Sequence, residues 1–110
     1  MSDEGAKPAT VMAAMPRRFQ PDKAQGVNAV VQWVLTGADG GEWYTTIANG
    51  SCEVAEGRAA KPKVTITMDG QDYVDLSMGK LDGMKAFMSG KIKMAGDFML
   101  ASRLISFFRI

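Results

Sequence analysis

Histidine is absent from this chain of 110 residues, and cysteine occurs once, at Cys52. Without histidine there is no Ser-His or Cys-His relay and no ordinary zinc site, and a lone thiol forms no internal disulfide. No apolar run approaches the roughly 18 residues of a membrane-spanning helix. The opening "MSDEGAKPAT" lacks the basic-then-apolar pattern of a secretory leader. Charge of one sign is missing too: 13 Lys and Arg against 12 Asp and Glu leave +1, which removes the strong field that nucleic-acid binding uses. There is no internal repeat and no low-complexity linker, so one folded domain is expected. Together these absences predict a cytoplasmic domain with no metal, no cofactor and no nucleic-acid partner.

What is present is unevenly spread. Residues 1–79 hold seven basic against ten acidic residues, a balance of −3. Residues 80–110 hold Lys80, Lys85, Lys91, Lys93, Arg103 and Arg109 against Asp82 and Asp97, a balance of +4. The same basic third contains Met84, Met88, Met94 and Met99, four of the nine methionines.

Residues 1–7 are small and polar and read as disordered. "PATVMAAM" reads as a short helix with Pro8 in its first turn, stopping at Met15 because Pro16 disfavours helix in the residue before it. From Val27 the period becomes two, with Val27, Ala29, Val31, Trp33 and Leu35 on one face. "GADGG" (37–41) reads as a five-residue turn, and Asn49-Gly50 as a two-residue hairpin turn. These turns predict Ala48 opposite Ser51 and Ile47 opposite Cys52, and across the longer turn Leu35 opposite Trp43 and Val31 opposite Ile47. The result is a three-stranded antiparallel meander with one buried face.

"VTITM" (64–68) is a fourth strand. Asp69 or Gln71 opens a helix over "QDYVDLSM", Asp82 caps another that carries Met84, Phe87 and Met88, and Gly90 closes it. "KIKMA" is a fifth strand with Ile92 and Met94 inward and Lys91 and Lys93 outward. Asp97 caps a last helix, "FMLASRLISFFRI", apolar around about two thirds of its circumference. Such a helix needs more cover than a small sheet gives.

The stretches "RFQPDKAQGVNAVVQWVLTG", "GGEWYTTIANGSCEV", "VTITMDGQDYVDLSMGKLDGMKAFMSGKIKMAGD" and "LASRLISFF" together resemble the sterol carrier protein 2 family over roughly residues 17–108. That resemblance implies an α/β (α+β) fold with one five-stranded mixed sheet. Helices on one face would enclose an apolar tunnel for fatty acids, fatty acyl-CoA or sterols, closed in part by the final helix. Residues 1–15 are then a short flexible amino-terminal segment or helix, and residues 16–110 the lipid-binding domain. The chain shows no terminal peroxisomal Ser-Lys-Leu address, in keeping with the cytoplasmic expectation.

The expected lining is Trp33, Ile66, Met68, Met84, Phe87, Met88, Met94, Phe98, Leu100, Leu104, Phe107 and Phe108. Methionine is a common core filler, but its soft torsions also suit a wall that reshapes around varied guests. Lys80, Lys85, Lys91, Lys93 and Arg103 are the expected contacts for anionic head groups or an anionic membrane surface, against the plainer reading of Lys91 and Lys93 as charges guarding an edge strand. Cys52 is expected inward and inert. Tyr73, Asp72 and Asp75 show no nucleophile-base pairing, so lipid binding and transfer without catalysis is the leading expectation. A protein-interaction module or homodimer using the last helix is the alternative.

Overall fold

The computed structural model describes residues 7–108, apart from the side chain of Ile105. The reading of residues 1–6 as disordered and the place of Arg109 in the basic surface lie outside the described residues.

Five strands form one mixed sheet in the order β3-β2-β1-β4-β5: β1 (Ala29–Thr36), β2 (Gly41–Ala48), β3 (Ser51–Glu56), β4 (Val64–Asp69) and β5 (Ile92–Gly96). Only β1 and β4 run parallel. Val31, Trp33, Trp43, Ile47, Cys52, Val64, Ile66, Met68 and Ile92 are all buried, and cross-strand partners among them share one face, as the period of two requires.

The β2–β3 hairpin has the predicted register, Ala48 with Ser51 and Ile47 with Cys52. Asn49 (φ +52°) and Gly50 (φ +76°) supply the left-handed pair that a two-residue turn with the right strand twist demands. The β1–β2 register differs from expectation by two residues: Leu35 faces Gly41, Trp33 faces Trp43 and Val31 faces Thr45. The connection is tighter than a five-residue turn, because Gly40 N donates to Gly37 O at 3.1 Å and Gly41 already pairs. A Cβ at Gly40 would strike the Leu35 carbonyl oxygen, so the tight form depends on glycine there. A shift of two keeps every side chain on its predicted face.

The chain returns from β3 to β4 by a segment lying against the sheet's outer face. Gln32 fastens it there: its Nε2 donates to Gly57 O (3.0 Å) and Trp43 O (3.0 Å), and its Oε1 accepts from Ala59 N (2.8 Å). This return brings β4 alongside β1 in parallel.

Four short helices cover the other face. The first, α1 (Pro8–Arg18), passes through Pro16 instead of stopping at Met15. Burial of Val11, Met12 and Met15, and an Arg18 guanidinium donating to Ser77 O at 2.6 Å, hold the last turn against the local preference. The expected division at residue 15 therefore falls within this helix, whose apolar face is part of the common core. α2 (Gly70–Ser77) is capped by Asp69 and α3 (Gly83–Met88) by Asp82.

α4 (Phe98–Arg103), capped by Asp97, is shorter than predicted. It tightens into a 3-10 turn, Leu104–Phe107. The cause is a tether: Gln20 N donates to Phe107 O at 2.7 Å, and Phe108 forms a bridge with Phe19. A straight helix could not satisfy both.

Candidate functional site

The helices divide the inner face of the sheet in two. Over β2 and β3, α1 packs closely, with Met15 Sδ accepting from Thr45 Oγ1 at 3.2 Å and Trp33 Nε1 donating to Thr45 Oγ1 at 3.0 Å. Over β1, β4 and β5 the roof is α2, α3 and α4, and there the packing leaves a cavity of about 160 Å³.

Its floor follows the strand register. Trp33, Ile66 and Met94 stand side by side across three strands, and Met68 and Ile92 form the next row. Leu76 descends from α2; Gly83, Met84 and Phe87 from α3; Phe98, Ala101 and Ser102 from α4; Leu104 follows. Phe87 and Phe98 meet edge to face at 5.5 Å between ring centroids and so tie α3 to α4. Ser102 is the one polar side chain of the lining, and its hydroxyl donates to Met99 O at 2.9 Å. Among the described residues no charged side chain lines the cavity.

Four large apolar side chains stand exposed on α3 and α4, and two of them, Met84 and Phe98, also line the cavity. Met84 is 61% exposed, Met88 79%, Phe98 53% and Met99 75%, where large hydrophobic side chains would ordinarily find cover.

Of the residues expected to line a ligand site, the structure brings together Trp33, Ile66, Met68, Met84, Phe87, Met94, Phe98 and Leu104. It does not bring in the other four. Met88, expected inward, points to solvent from α3. Leu100 and Phe107 are buried in the core away from the cavity wall. Phe108 stacks at 5.6 Å on Phe19. The tightened end of α4 explains Phe108, since its ring is brought against Phe19 of the amino-terminal segment. Ile92, Leu76, Gly83, Ala101 and Ser102 line the cavity without having been expected there. Ile92 was readable, since it lies on the same strand face as Met94; the small residues gave no signal, because they line the space by leaving it.

Lys80, Lys85, Lys91, Lys93 and Arg103 are all exposed. Lys85 and Arg103 stand on two of the roof helices, α3 and α4, and the Arg103 guanidinium lies 5.4 Å over the Phe107 ring. Lys93, next to inward Ile92 and Met94, belongs to the sheet's opposite face.

Reactive chemistry finds little purchase. Burial, with a smaller push from Glu53, raises the Cys52 thiol to about 11, so it is protonated near neutrality. Burial also holds the Tyr73 phenol well above its ordinary value. Asp75 Oδ1 accepts from Gln71 Nε2 at 3.1 Å, outside the cavity. Among the described residues no group of three His, Cys, Asp or Glu side chains could hold a metal ion, and no helix is long and apolar enough to cross a membrane.

A family model described as the SCP-2 sterol transfer family matches residues 11–109. The chain is 33% identical over 92 residues to hydroxysteroid dehydrogenase-like protein 2 of Xenopus laevis, covering 83% of this chain and 22% of that protein. It is 39% identical over 80 residues to peroxisomal multifunctional enzyme type 2 of Mus musculus, covering 70% and 11%. The chain thus spans less than a quarter of these curated relatives. The solution structure of palmitated SCP2L2 from Aedes aegypti superposes with a TM-score of 0.73 at 27% identity, covering 90% of this chain and 88% of that one.

Proposed function

The chain belongs to the SCP-2 sterol transfer family, a family associated with lipid and sterol binding and transfer, and from that premise we propose that its cavity takes up the acyl chain of a fatty acid or fatty acyl-CoA and carries it between membranes without catalysis. One observation carries this reading: an interior lined by apolar side chains, two of which, Met84 and Phe98, are also exposed to solvent. A saturated chain needs no polar partner along its length, whereas a sterol hydroxyl carried inside would find a single polar partner among the described lining residues, Ser102 Oγ as an acceptor. The Aedes aegypti neighbour is described as palmitated, which supports the same ligand class.

Size sets a condition. An apolar cavity of about 150 Å³ takes up a molecule of benzene, so 160 Å³ holds only part of a long acyl chain. Left empty, at about 24 cal/mol per Å³, 160 Å³ costs about 4 kcal/mol, and a void for a whole chain would cost more. The free protein therefore keeps the space small and enlarges it on loading. Methionine at the wall makes this cheap, because its three soft torsions repack without strain. Each methylene then buried returns about 0.8 kcal/mol. The head group stays outside, where Lys85 and Arg103 on the roof helices offer it positive charge, as they would an anionic membrane surface.

Native mass spectrometry with lipid extraction, followed by titration with a fluorescent fatty acid, tests the reading. A co-purifying acyl lipid and saturable binding are expected; a consistently empty protein that fails to bind the probe refutes it. The second reading is a homodimer or protein-interaction module, favoured by the exposed Met84, Met88, Phe98 and Met99. Light scattering with and without lipid separates the two, since a dimer indifferent to lipid supports the second. The cytoplasmic location expected above competes with the peroxisomal name of one relative, and cell fractionation decides between them.

A further inference from the structure

We propose that Met84 is an oxidation site through which peroxides control loading of the cavity. The inference rests on the lipid-binding reading above and adds a modification to it. Exposure sorts the described methionines, with Met78 and Met94 partly buried between two extremes. Met12, Met15 and Met68 are sealed at 0%, 7% and 2%, while Met84, Met88 and Met99 stand open at 61%, 79% and 75%. Thioether oxidation follows access to the sulfur, so peroxide reaches the second group first. Within that group Met84 alone also forms part of the cavity wall. It is at once reachable from solvent and in the path of a guest.

The chemistry is an oxygen-atom transfer. The Met84 Sδ lone pair attacks one peroxide oxygen; an S–O bond forms, the O–O bond breaks, and the second oxygen leaves with two protons as water. Sulfur is oxidised by two electrons and the peroxide is reduced by two. The product is a strongly polar sulfoxide on a side chain that was apolar.

The surroundings give that oxygen no home inside. Among the described residues the lining offers no charged side chain, and the Ser102 hydroxyl already donates to Met99 O. Turned inward, the sulfoxide places an unpaired acceptor against the acyl chain; turned outward, it withdraws a section of the wall at the mouth. Either way the loaded state loses more than the free state, in which the same oxygen faces water. The change is reversible by methionine sulfoxide reductases, so it can act as a switch.

The test uses the whole chain and a fluorescent fatty acid. Mild hydrogen peroxide is followed by peptide mapping, a thermal midpoint and a binding titration. Sulfoxide is expected at Met84, Met88 and Met99 before Met12, Met15 or Met68, with an unchanged midpoint and affinity lowered by about tenfold, the lower part of the penalty for an unpaired buried polar group. Treatment with both stereospecific reductases should restore binding. Two variants assign the effect, each compared with its own untreated form. Met84→Leu should lose its sensitivity to peroxide, and the double variant Met88→Leu, Met99→Leu should keep it.

Equal loss in Met84→Leu, or unchanged affinity with Met84 fully oxidised, overturns the proposal. So does a binding loss that tracks a fall in the midpoint, which would mark unfolding. A protein that binds no fatty acid before any treatment instead defeats the lipid-binding reading, and this inference with it.

Discussion

Ala101 is small where the cavity needs room: it is buried at 6% exposure on α4 and lines the void beneath that helix. A larger apolar side chain at this position would grow into empty space and not into a neighbour. Ala101→Leu is therefore expected to raise stability, by about 2 kcal/mol at roughly 0.8 kcal/mol per added methylene, while abolishing most fatty-acid binding. Thermal melts and a binding titration check both halves. A lower midpoint with unchanged binding would show that the space is ordinary core and not a ligand site. Cys52 supplies a pH test. Its folded pKa, about 11, lies above the unfolded value of 9.0. The folded state therefore holds the thiol proton more tightly, and the stability this contributes is fully present below pH 9 and lost as pH climbs from 9 toward 11. Urea midpoints should fall across that window, and Cys52→Ser should flatten the fall. At pH 8, alkylation of native protein should be far slower than in urea.

At the level of elements, local signals and tertiary demands part company in identifiable places. The Asn49-Gly50 hairpin and the Asp82 and Asp97 caps were legible because each is decided by residues within one turn of each other, while the start of α2 was left between Asp69, the actual cap, and Gln71. The β1–β2 register was not, since alternation fixes the face of a side chain but leaves shifts of two undecided. Nor was the passage of α1 through Pro16 or the tightening of α4. Both depend on partners far away in the chain, Ser77 for Arg18 and Gln20 for Phe107. The cavity was legible where large side chains alternate on strands, and illegible at Gly83, Ala101 and Ser102. Met88 misled for a related reason: helical spacing put it beside Met84 but could not say which side of a six-residue helix faced the sheet. Such short helices rely on their caps, because few internal hydrogen bonds oppose the cost of nucleation. Asp97 Oδ1 accepts from Leu100 N at 3.0 Å at the start of α4. Asp97→Ala is expected to cost about 1 kcal/mol and to weaken fatty-acid binding, because α4 carries the cavity's outer wall. Loss of stability with intact binding in the folded fraction would show that the roof's position does not matter to the ligand.

For the molecule as a whole, the sheet has a closed half and an open half, and function belongs to the difference. The α1 side is sealed by Met12, Met15, Ile47 and Cys52, and the outer face is pinned through Gln32, buried at 2%. Neither has anything to gain by moving. The other side has two six-residue helices joined to each other by the Phe87–Phe98 contact, over a void that is costly when empty and too small when filled. Under the proposed function, loading would displace α3 and α4 against a fixed sheet. A ligand that binds only the folded state adds RT ln(1 + [L]/Kd), about 2.7 kcal/mol at a hundredfold excess over Kd. Global opening is slowed everywhere by that amount, but local opening should change only where the ligand sits. Hydrogen exchange under conditions that report local fluctuation is thus expected to show fast amides in α3 and α4 of the free protein, slowed at least tenfold by a bound fatty acid. Amides of α1, β1, β2 and β3 should exchange at the same local rate with and without it. Protection spread evenly over both halves would mean that the ligand braces the molecule as one body, and the picture of a rigid sheet under a movable roof would fail. Phe87→Ala gives the complementary result: with the tie between α3 and α4 cut, these two helices should exchange faster in the free protein while the closed half stays as slow as before.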